Sequence, residues 1–428
     1  MVSCTAAAAC SLGTVDPHLR TPSVDTWSLG VQHSFTNNLS LDLTYVGTHA
    51  INLIGNIDLN QAPLGAAYCL NALTTAQLDP ATGACAPGNP KPPTIGKPSS
   101  TAVQQARPYN VEFPYLAFIN RTVNDARSRY NSLQATLTER TTHGLSFTVG
   151  YTYGHGLDNG SLNRFGGQPQ DSTNPGAEFS NSDFDIRHRA TITASYEIPG
   201  KKGFGQLLEG WKLNTIVTLA GSQPWNIIDT ADNFSGTIEN TDRWDFFGNP
   251  KDFKATSSSI PYCTGPGFEG CSVTSGVSGI QTFSSASDST SMWAKCTATS
   301  PDLNTLGSVG CFVDGNSVMV PAKLGTYGTM ARNIFRDAGF KNVDFSVFKN
   351  FKFTERFSAQ FRAEFFNVLN HPIITNPFGS VNGYAGGSDP SSPNTFGCGC
   401  TTPDIAAGNP IVGSGDARTM QLGLKILF

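Results

Sequence analysis

The sequence predicts an all-β fold: an antiparallel transmembrane β-barrel of the outer-membrane kind, in which about nine strands of a larger barrel are joined by long extracellular loops. Three observations predict it. Segments of about ten residues alternate apolar and polar side chains, the period-two pattern of a strand with two unlike faces. Short and long links alternate strictly, as tight turns and long loops do at the two ends of such a barrel. Charged side chains stay on one face of each segment.

Composition agrees. Only 14% of the 428 residues are charged, against roughly 25% in an ordinary globular protein. No run of about 18 apolar residues occurs, so helical membrane spans are not expected. The net charge of −4, with no basic block, leaves nucleic acid without an electrostatic footprint as a partner. Gly 44, Phe 28 and Tyr 11, with abundant Ser, Thr and Asn, favour strands and turns over helices.

Residues 1–22 read as the remnant of an extracellular loop, and residues 23–428 as barrel. A weaker strand signal covers 24–35. In 39–46, Leu39, Leu41, Leu43 and Tyr45 share one face, opposite Ser40, Asp42 and Thr44. A second weak signal covers 130–140. In 145–154, Leu145, Phe147, Val149, Tyr151 and Tyr153 alternate with small and polar residues. In 186–198, Ile186, Ala190, Ile192, Ala194, Tyr196 and Ile198 oppose Arg187, Arg189 and Glu197. Weak signals at 211–228 and 341–353 precede 357–365, where Phe357, Ala359, Phe361, Ala363 and Phe365 oppose Arg362 and Glu364. The last segment is the most specific: Met420, Leu422, Leu424, Ile426 and the terminal Phe428 form one apolar face, opposite Gln421, Gly423, Lys425 and Leu427. The short links include Thr36-Asn37-Asn38, Thr142-His143-Gly144 and Thr354-Glu355-Arg356; the long loops run over 52–124, 159–183, 229–339 and 371–416.

A lipid-facing Arg or Lys at mid-bilayer costs about 2–4 kcal/mol, whereas a water-filled lumen tolerates it. Arg187, Arg189, Glu197, Arg362 and Glu364 are therefore expected to line the lumen. A secreted soluble β-sandwich also alternates, but its outer face would be rich in Lys and Glu. With Phe428 at the periplasmic end, counting strands backwards makes the first one descend from outside. Complete single-chain barrels have an even strand number, so strands are expected upstream of this chain. Met1–Gly13 lacks a basic start and an apolar core and makes a poor signal peptide, which also suggests a truncated chain.

The ten cysteines fall into near neighbours: Cys4 and Cys10, Cys69 and Cys85, Cys263 and Cys271, Cys296 and Cys311, Cys398 and Cys400. Local pairs in Gly/Pro/Ser-rich stretches read as loop disulfides of an oxidising compartment. The ring closed by Cys398 and Cys400 would be strained. Zinc is disfavoured, because no CxxC pair occurs and the seven histidines are scattered.

Several stretches resemble the C-terminal half of a TonB-dependent outer-membrane receptor, in particular the Oar-like type with an N-terminal carboxypeptidase-regulatory-like domain. They are RTPSVDTWSLGVQHSFTNNLSLDLTYVGTHA (20–50), RSRYNSLQATLTERTTHGLSFTVGYTYGHGLDN (127–159), FDIRHRATITASYEIPG (184–200), WKLNTIVTLAGSQPWNI (211–227), FSVFKNFKFTERFSAQFRAEFFNVLNHP (345–372) and RTMQLGLKILF (418–428). The resemblance implies a 22-stranded barrel plugged by a globular domain, which imports a bulky ligand with energy transmitted through TonB. It also implies outer-membrane lipid around the barrel, and the barrel-assembly machinery recognising the strand Met420–Phe428. Plug, TonB box and the remaining strands have no counterpart in the sequence at hand, so contact with the TonB complex is expected only through regions upstream.

Arg187, His188 and Arg189 form the densest basic cluster; the two arginines either touch plug or substrate or pair with lumen carboxylates such as Glu197 or Glu364. Asp183 and Asp185 read as rim residues. Asp232, Asn233, Glu239, Asn240, Asp242 and Asp245 offer oxygen ligands without the order of a calcium-binding loop. Trp27, Trp211, Trp225, Tyr45, Tyr151, Tyr153 and Tyr196 suit interfacial girdles. The loop aromatics Trp244, Phe246, Phe247 and Trp293 either stack on a sugar or peptide ligand or simply pack their loops. No GxSxG, HExxH or Walker A motif occurs, so no catalytic residue, metal or cofactor is expected. The expected function is recognition and passage of an oligosaccharide, peptide or metal chelate through the barrel, with 52–124 and 229–339 as the main binding loops. A structural or adhesive barrel without energised transport is the alternative.

Overall fold

A computed structural model of the chain describes residues 4–6, 8–68, 100–161, 168–201, 204–227, 229, 234–237, 239, 242–265, 270–276, 282–379, 387–400 and 417–428. Strand β1 (Cys10–Val15) precedes a hairpin of β2 (Ser23–Ser34) and β3 (Leu39–Asp58). Helix α1 (Ser100–Ala106) leads into β4 (Leu116–Thr142) and β5 (Leu145–Asp158). Then come β6 (Ser180–Asn181), β7 (His188–Glu197), β8 (Trp211–Ala220) and β9 (Pro224–Trp225). The stretch after β9 carries β10 (Asp245–Phe247), β11 (Tyr262–Thr264), β12 (Gly270–Ser275) and β13 (Thr282–Ser285). It continues with α2 (Ser289–Thr299), α3 (Leu303–Val309), β14 (Cys311–Asp314), β15 (Ser317–Val320) and β16 (Phe335–Arg336). The last three strands are β17 (Phe340–Lys352), β18 (Ser358–Phe366) and β19 (Thr419–Leu427).

Nine strands form the main path of one sheet, in the order β19-β18-β17-β8-β7-β5-β4-β3-β2. Every neighbouring pair on this path is antiparallel. β2 and β19 are the free edges, and the sheet does not close on itself among the described residues. Between β4 and β5 the turn is a two-residue one, His143-Gly144, with both residues at positive φ (52° and 85°). That geometry matches the twist of a tight hairpin.

Register carries the face assignment across the sheet. Leu43, Ala135, Tyr151, Ala190 and Leu219 are successive cross-strand partners, and so are Asp42, Thr136, Gly150, Thr191, Thr218 and Asn342 one residue along. Phe345, Phe365 and Met420 continue the apolar rows, followed by Val347, Ala363 and Leu422. No second sheet packs on this face among the described residues: Leu29, Leu422 and Leu424 are 73%, 58% and 69% exposed. A soluble sandwich would bury them. Charge enters the apolar rows as Lys341 opposite Leu219, Glu139 opposite Phe147, Lys349 opposite Trp211 and Phe361, and, toward the long-loop end, Asp25 and Arg129 in the row of His49 and Leu157.

The long links differ from a string of loops. β3 and β4 run beyond the alternating segments to Asp58 and from Leu116, so the link expected over 52–124 is 59–115. Register shifts at Ala50 and Leu53 mark where the ribbon departs from the regular ladder. The extension escaped the alternation pattern because a paired backbone needs only a neighbouring strand, not two unlike faces. Residues 10–15, expected to be loop remnant, pair as β1 in parallel with the outer part of β4.

Residues 229–339, expected as a binding loop, build a subdomain. Its six-stranded sheet has the order β10-β15-β14-β11-β12-β13. Trp225, Phe234, Trp244, Phe253, Phe312, Met319, Phe335 and Phe396 share one buried cluster, and the cysteines Cys263, Cys271, Cys296 and Cys311 lie in a second with Leu306 and Val313. Disulfides join Cys4 to Cys10, Cys263 to Cys271 and Cys296 to Cys311. Cys263 and Cys271 sit directly opposite each other on β11 and β12. Cys398 and Cys400 are also joined, although the short ring argued against it. Cys69 and Cys85 lie outside the described residues.

Candidate ligand-recognition site

The subdomain sits on the long-loop end of the sheet, and arginines hold it there. Arg332 is 1% exposed. Its Nη2 donates to Asp158 Oδ1 at 2.8 Å, its Nη1 to Asp183 Oδ1 at 3.3 Å, and its Nε to the Glu178 carbonyl at 3.2 Å. Arg243 grips Glu178 with both terminal nitrogens, at 2.6 and 3.0 Å. Arg107, after α1, donates to Asp58 Oδ2 at the end of β3, at 2.8 Å. Breaking a buried ion pair of this kind costs about 3–5 kcal/mol, because the remaining charge is stranded.

Asp185 is the hub of the rim. Its carboxylate accepts from Arg336 Nη2 at 2.5 Å, Arg187 Nε at 2.8 Å and the Gly156 amide at 2.8 Å, with His155 Nδ1 at 3.1 Å. Burial alone would raise its pKa, but the Arg336, Gly156 and Arg187 hydrogen bonds outweigh burial and hold it at about 2. Arg187 therefore belongs to this rim cluster and not with Glu197 or Glu364, since it lies at the bend just before β7 begins at His188. Glu197 faces Lys212 at 3.4 Å.

Two carboxyls inside the subdomain contrast with Asp185. Burial, and then the Asp58 charge, push the Glu239 pKa well up, while burial raises Asp242 to about 6. Glu239 Oε1 and Asp242 Oδ1 are buried without a hydrogen-bond partner among the described residues. Of the other oxygen ligands proposed for a cation, Asp245 Oδ1 is taken by the Thr329 amide and hydroxyl, at 2.8 Å each. Asp232, Asn233 and Asn240 lie outside the described residues.

The loop aromatics separate. Trp244 is fully buried, donates from its indole to Asp229 Oδ2 at 2.8 Å, and meets Phe234 and Phe312 edge-on. It is a core residue, unavailable for stacking on a ligand. Phe246 packs against Phe253 and Phe335, and Trp293 against the cysteine cluster. Only Phe247 stays open, at 45% exposure. A subdomain of this size needs its own core, and the large aromatics fill it. Trp225, expected in a membrane girdle, is buried in the same core.

On the barrel wall the register places Arg189, Arg362 and Glu364 on the face opposite the apolar rows. Arg362 Nε donates to Gln360 Oε1 at 2.6 Å, and its guanidinium lies over Phe348. Met420, Leu422, Leu424 and Ile426 line the apolar face of the edge strand β19, with Phe428 after it. The four anchoring arginines, Arg107, Arg243, Arg332 and Arg336, were not singled out from sequence. They lie outside any alternating segment, and their partners come from up to 174 residues away.

Comparison with known proteins follows this geometry. A family model described as outer membrane beta barrel domain matches residues 2–421. No curated protein matches. Among solved structures, the outer membrane transporter YddB from Escherichia coli aligns over 98% of this chain and 34% of its own, with 9% identity and a TM-score of 0.37. P. aeruginosa FpvA, in complex with a heterologous pyoverdine and iron, aligns over 96% of this chain and 27% of its own, with 10% identity and a TM-score of 0.35. FpvAI in complex with pyocin S2 gives 96%, 28%, 10% and 0.34. The chain thus spans about a third or less of the length of these structures. It belongs to the outer membrane beta barrel domain family and is a protein of the outer membrane.

Proposed function

We propose that this chain is the C-terminal barrel portion of a TonB-dependent outer-membrane receptor of the Oar-like type, and that it recognises a bulky ligand and lets it pass. On this reading the long-loop end faces outward, and the subdomain at 229–339 with the ribbon beyond the membrane presents the binding surface. The observation that supports it is the investment in that end. A loop built only to connect two strands needs no six-stranded sheet, no disulfide-braced core and no buried arginine anchors. The resemblance of RYNSLQ (129–134), FDIRHR (184–189) and FRAEFFNVLNHP (361–372) to that receptor group points the same way.

The test is deletion of 229–339 from the receptor as expressed in cells, followed by uptake assays with and without an active TonB complex. Loss of uptake on deletion, and TonB dependence of what the intact protein imports, are the expected results. Unchanged uptake after deletion counts against the binding role, and TonB-independent surface attachment points to the adhesive alternative.

A further inference from the structure

A cavity of about 580 Å³ opens on the inner wall of β4, β5 and β7, below the rim cluster. Its walls include Tyr130, Gln134, Thr152, Phe184, Ile186 and Arg189. Gln134, Thr152 and Arg189 are consecutive cross-strand partners, so their side chains stand side by side on the polar face. Tyr130 faces Gly156. A Cβ at Gly154 would come 2.7 Å from the Tyr130 hydroxyl and 3.2 Å from its ring, and one at Gly156 would come 3.8 Å from the ring. The two glycines thus let the ring lie along β5, with its hydroxyl pointed down the wall toward the Arg189 row. Phe184, 69% exposed, supplies a second aromatic surface.

The charge balance of this cavity is unusual for the rim. Asp158, which also lines it, is held by Arg332 and by the Ser161 hydroxyl at 2.6 Å. Asp185 nearby is saturated by Arg187 and Arg336. Arg189 is paired through its backbone, but its guanidinium has no hydrogen-bond or ion-pair partner among the described residues. The acid that lines the cavity, Asp158, is therefore committed elsewhere, while a planar guanidinium, an amide, a hydroxyl and two aromatic side chains line the open space. That set suits a ring that is apolar on its face and carries a carboxylate, because guanidinium and carboxylate dock with two parallel hydrogen bonds.

We propose that this cavity is an acidic-saccharide subsite, in which Arg189 takes the carboxylate of a uronic acid, Gln134 and Thr152 bond its hydroxyls, and Tyr130 and Phe184 flank the ring. The proposal rests on the receptor reading above and narrows its ligand class. The volume falls within the range typical of small-ligand pockets, about 300–1,000 Å³.

The experiment titrates outer-membrane vesicles carrying the full chain with trigalacturonic acid and with its neutral methyl ester. The free acid is expected to bind about tenfold tighter or more, and Arg189→Gln to erase that preference. Thr152→Glu puts a carboxylate directly opposite Arg189 and is expected to erase it too, in a variant that keeps every arginine in place. Tyr130→Ala is expected to weaken acid and ester alike. A wild type that binds both forms equally, a preference that survives in Arg189→Gln and Thr152→Glu, or no binding of either form overturns the proposal. The receptor reading stands or falls separately, on the loop-deletion assay.

Discussion

Arg332 Nη2 meets Asp158 Oδ1 at 2.8 Å, joining the end of a barrel strand to a subdomain residue 174 positions later in the chain. The same guanidinium also bonds Asp183, Ser161 and the Glu178 carbonyl, so one side chain ties the 159–183 link to the larger insert. The inserted subdomain is thereby a fixed part of the barrel mouth.

Replacing Arg332 by Ala strands Asp158 and Asp183 in partly buried surroundings. The expected cost is about 3–5 kcal/mol, confined to the mouth. Hydrogen exchange across 158–183 and 229–339 should accelerate, while the nine-stranded sheet keeps its folded mobility on unheated gels. Unchanged exchange in the mouth refutes the anchoring role.

The two kinds of buried carboxyl predict opposite pH responses. Asp242 holds its proton more tightly when folded, so its contribution to stability falls as pH rises from 3.8 through about 6 and is flat above. Asp185 is depressed to about 2, so its contribution is complete above 3.8 and lost as pH falls toward 2. Asp242→Asn should reduce the pH dependence of thermal unfolding between 4 and 6, with Glu239 keeping its own share of the slope, whereas Asp185→Asn should flatten it below 4. A slope between 4 and 6 that is unchanged in Asp242→Asn removes this account.

The Cys296–Cys311 bridge closes a loop of sequence separation 15. Chain-entropy arguments give about 3 kcal/mol for such a loop. The double Ser variant should lower the unfolding temperature of the subdomain, read by fluorescence of Trp244 and Trp293, and mild reductant should do the same to the wild type. Coincident melting of variant and wild type would show that the core alone holds the subdomain.

Face assignment on β19 is equally open to test. Leu424 pairs with Phe361 on the apolar face, and Gln421 pairs with Glu364 on the polar one. Leu424→Arg should cost about 2–4 kcal/mol of folding free energy in liposomes, and Gln421→Arg close to nothing. Equal costs would mean the faces are misassigned.

The sequence by itself determined the barrel. Alternation in 145–154, 186–198, 357–365 and 420–428 is written residue by residue, because every second side chain must face lipid and a charge there is expensive. The faces, the tight turn at His143-Gly144 and the apolar terminal segment followed from it, and cross-strand register in the structure carries those faces over the sheet. Only the tertiary structure decided what the long links are. Trp244 and Trp225 looked like surface aromatics because an irregular segment has no period from which burial can be read; both prove to be core. Arg187 looked like a lumen residue by alternation, but it sits at the bend just before β7 and its side chain turns to Asp185 at the rim. The Arg332–Asp158 and Arg336–Asp185 pairs were invisible for a simpler reason. Their partners are more than 140 residues apart, and nothing local in either segment encodes the meeting.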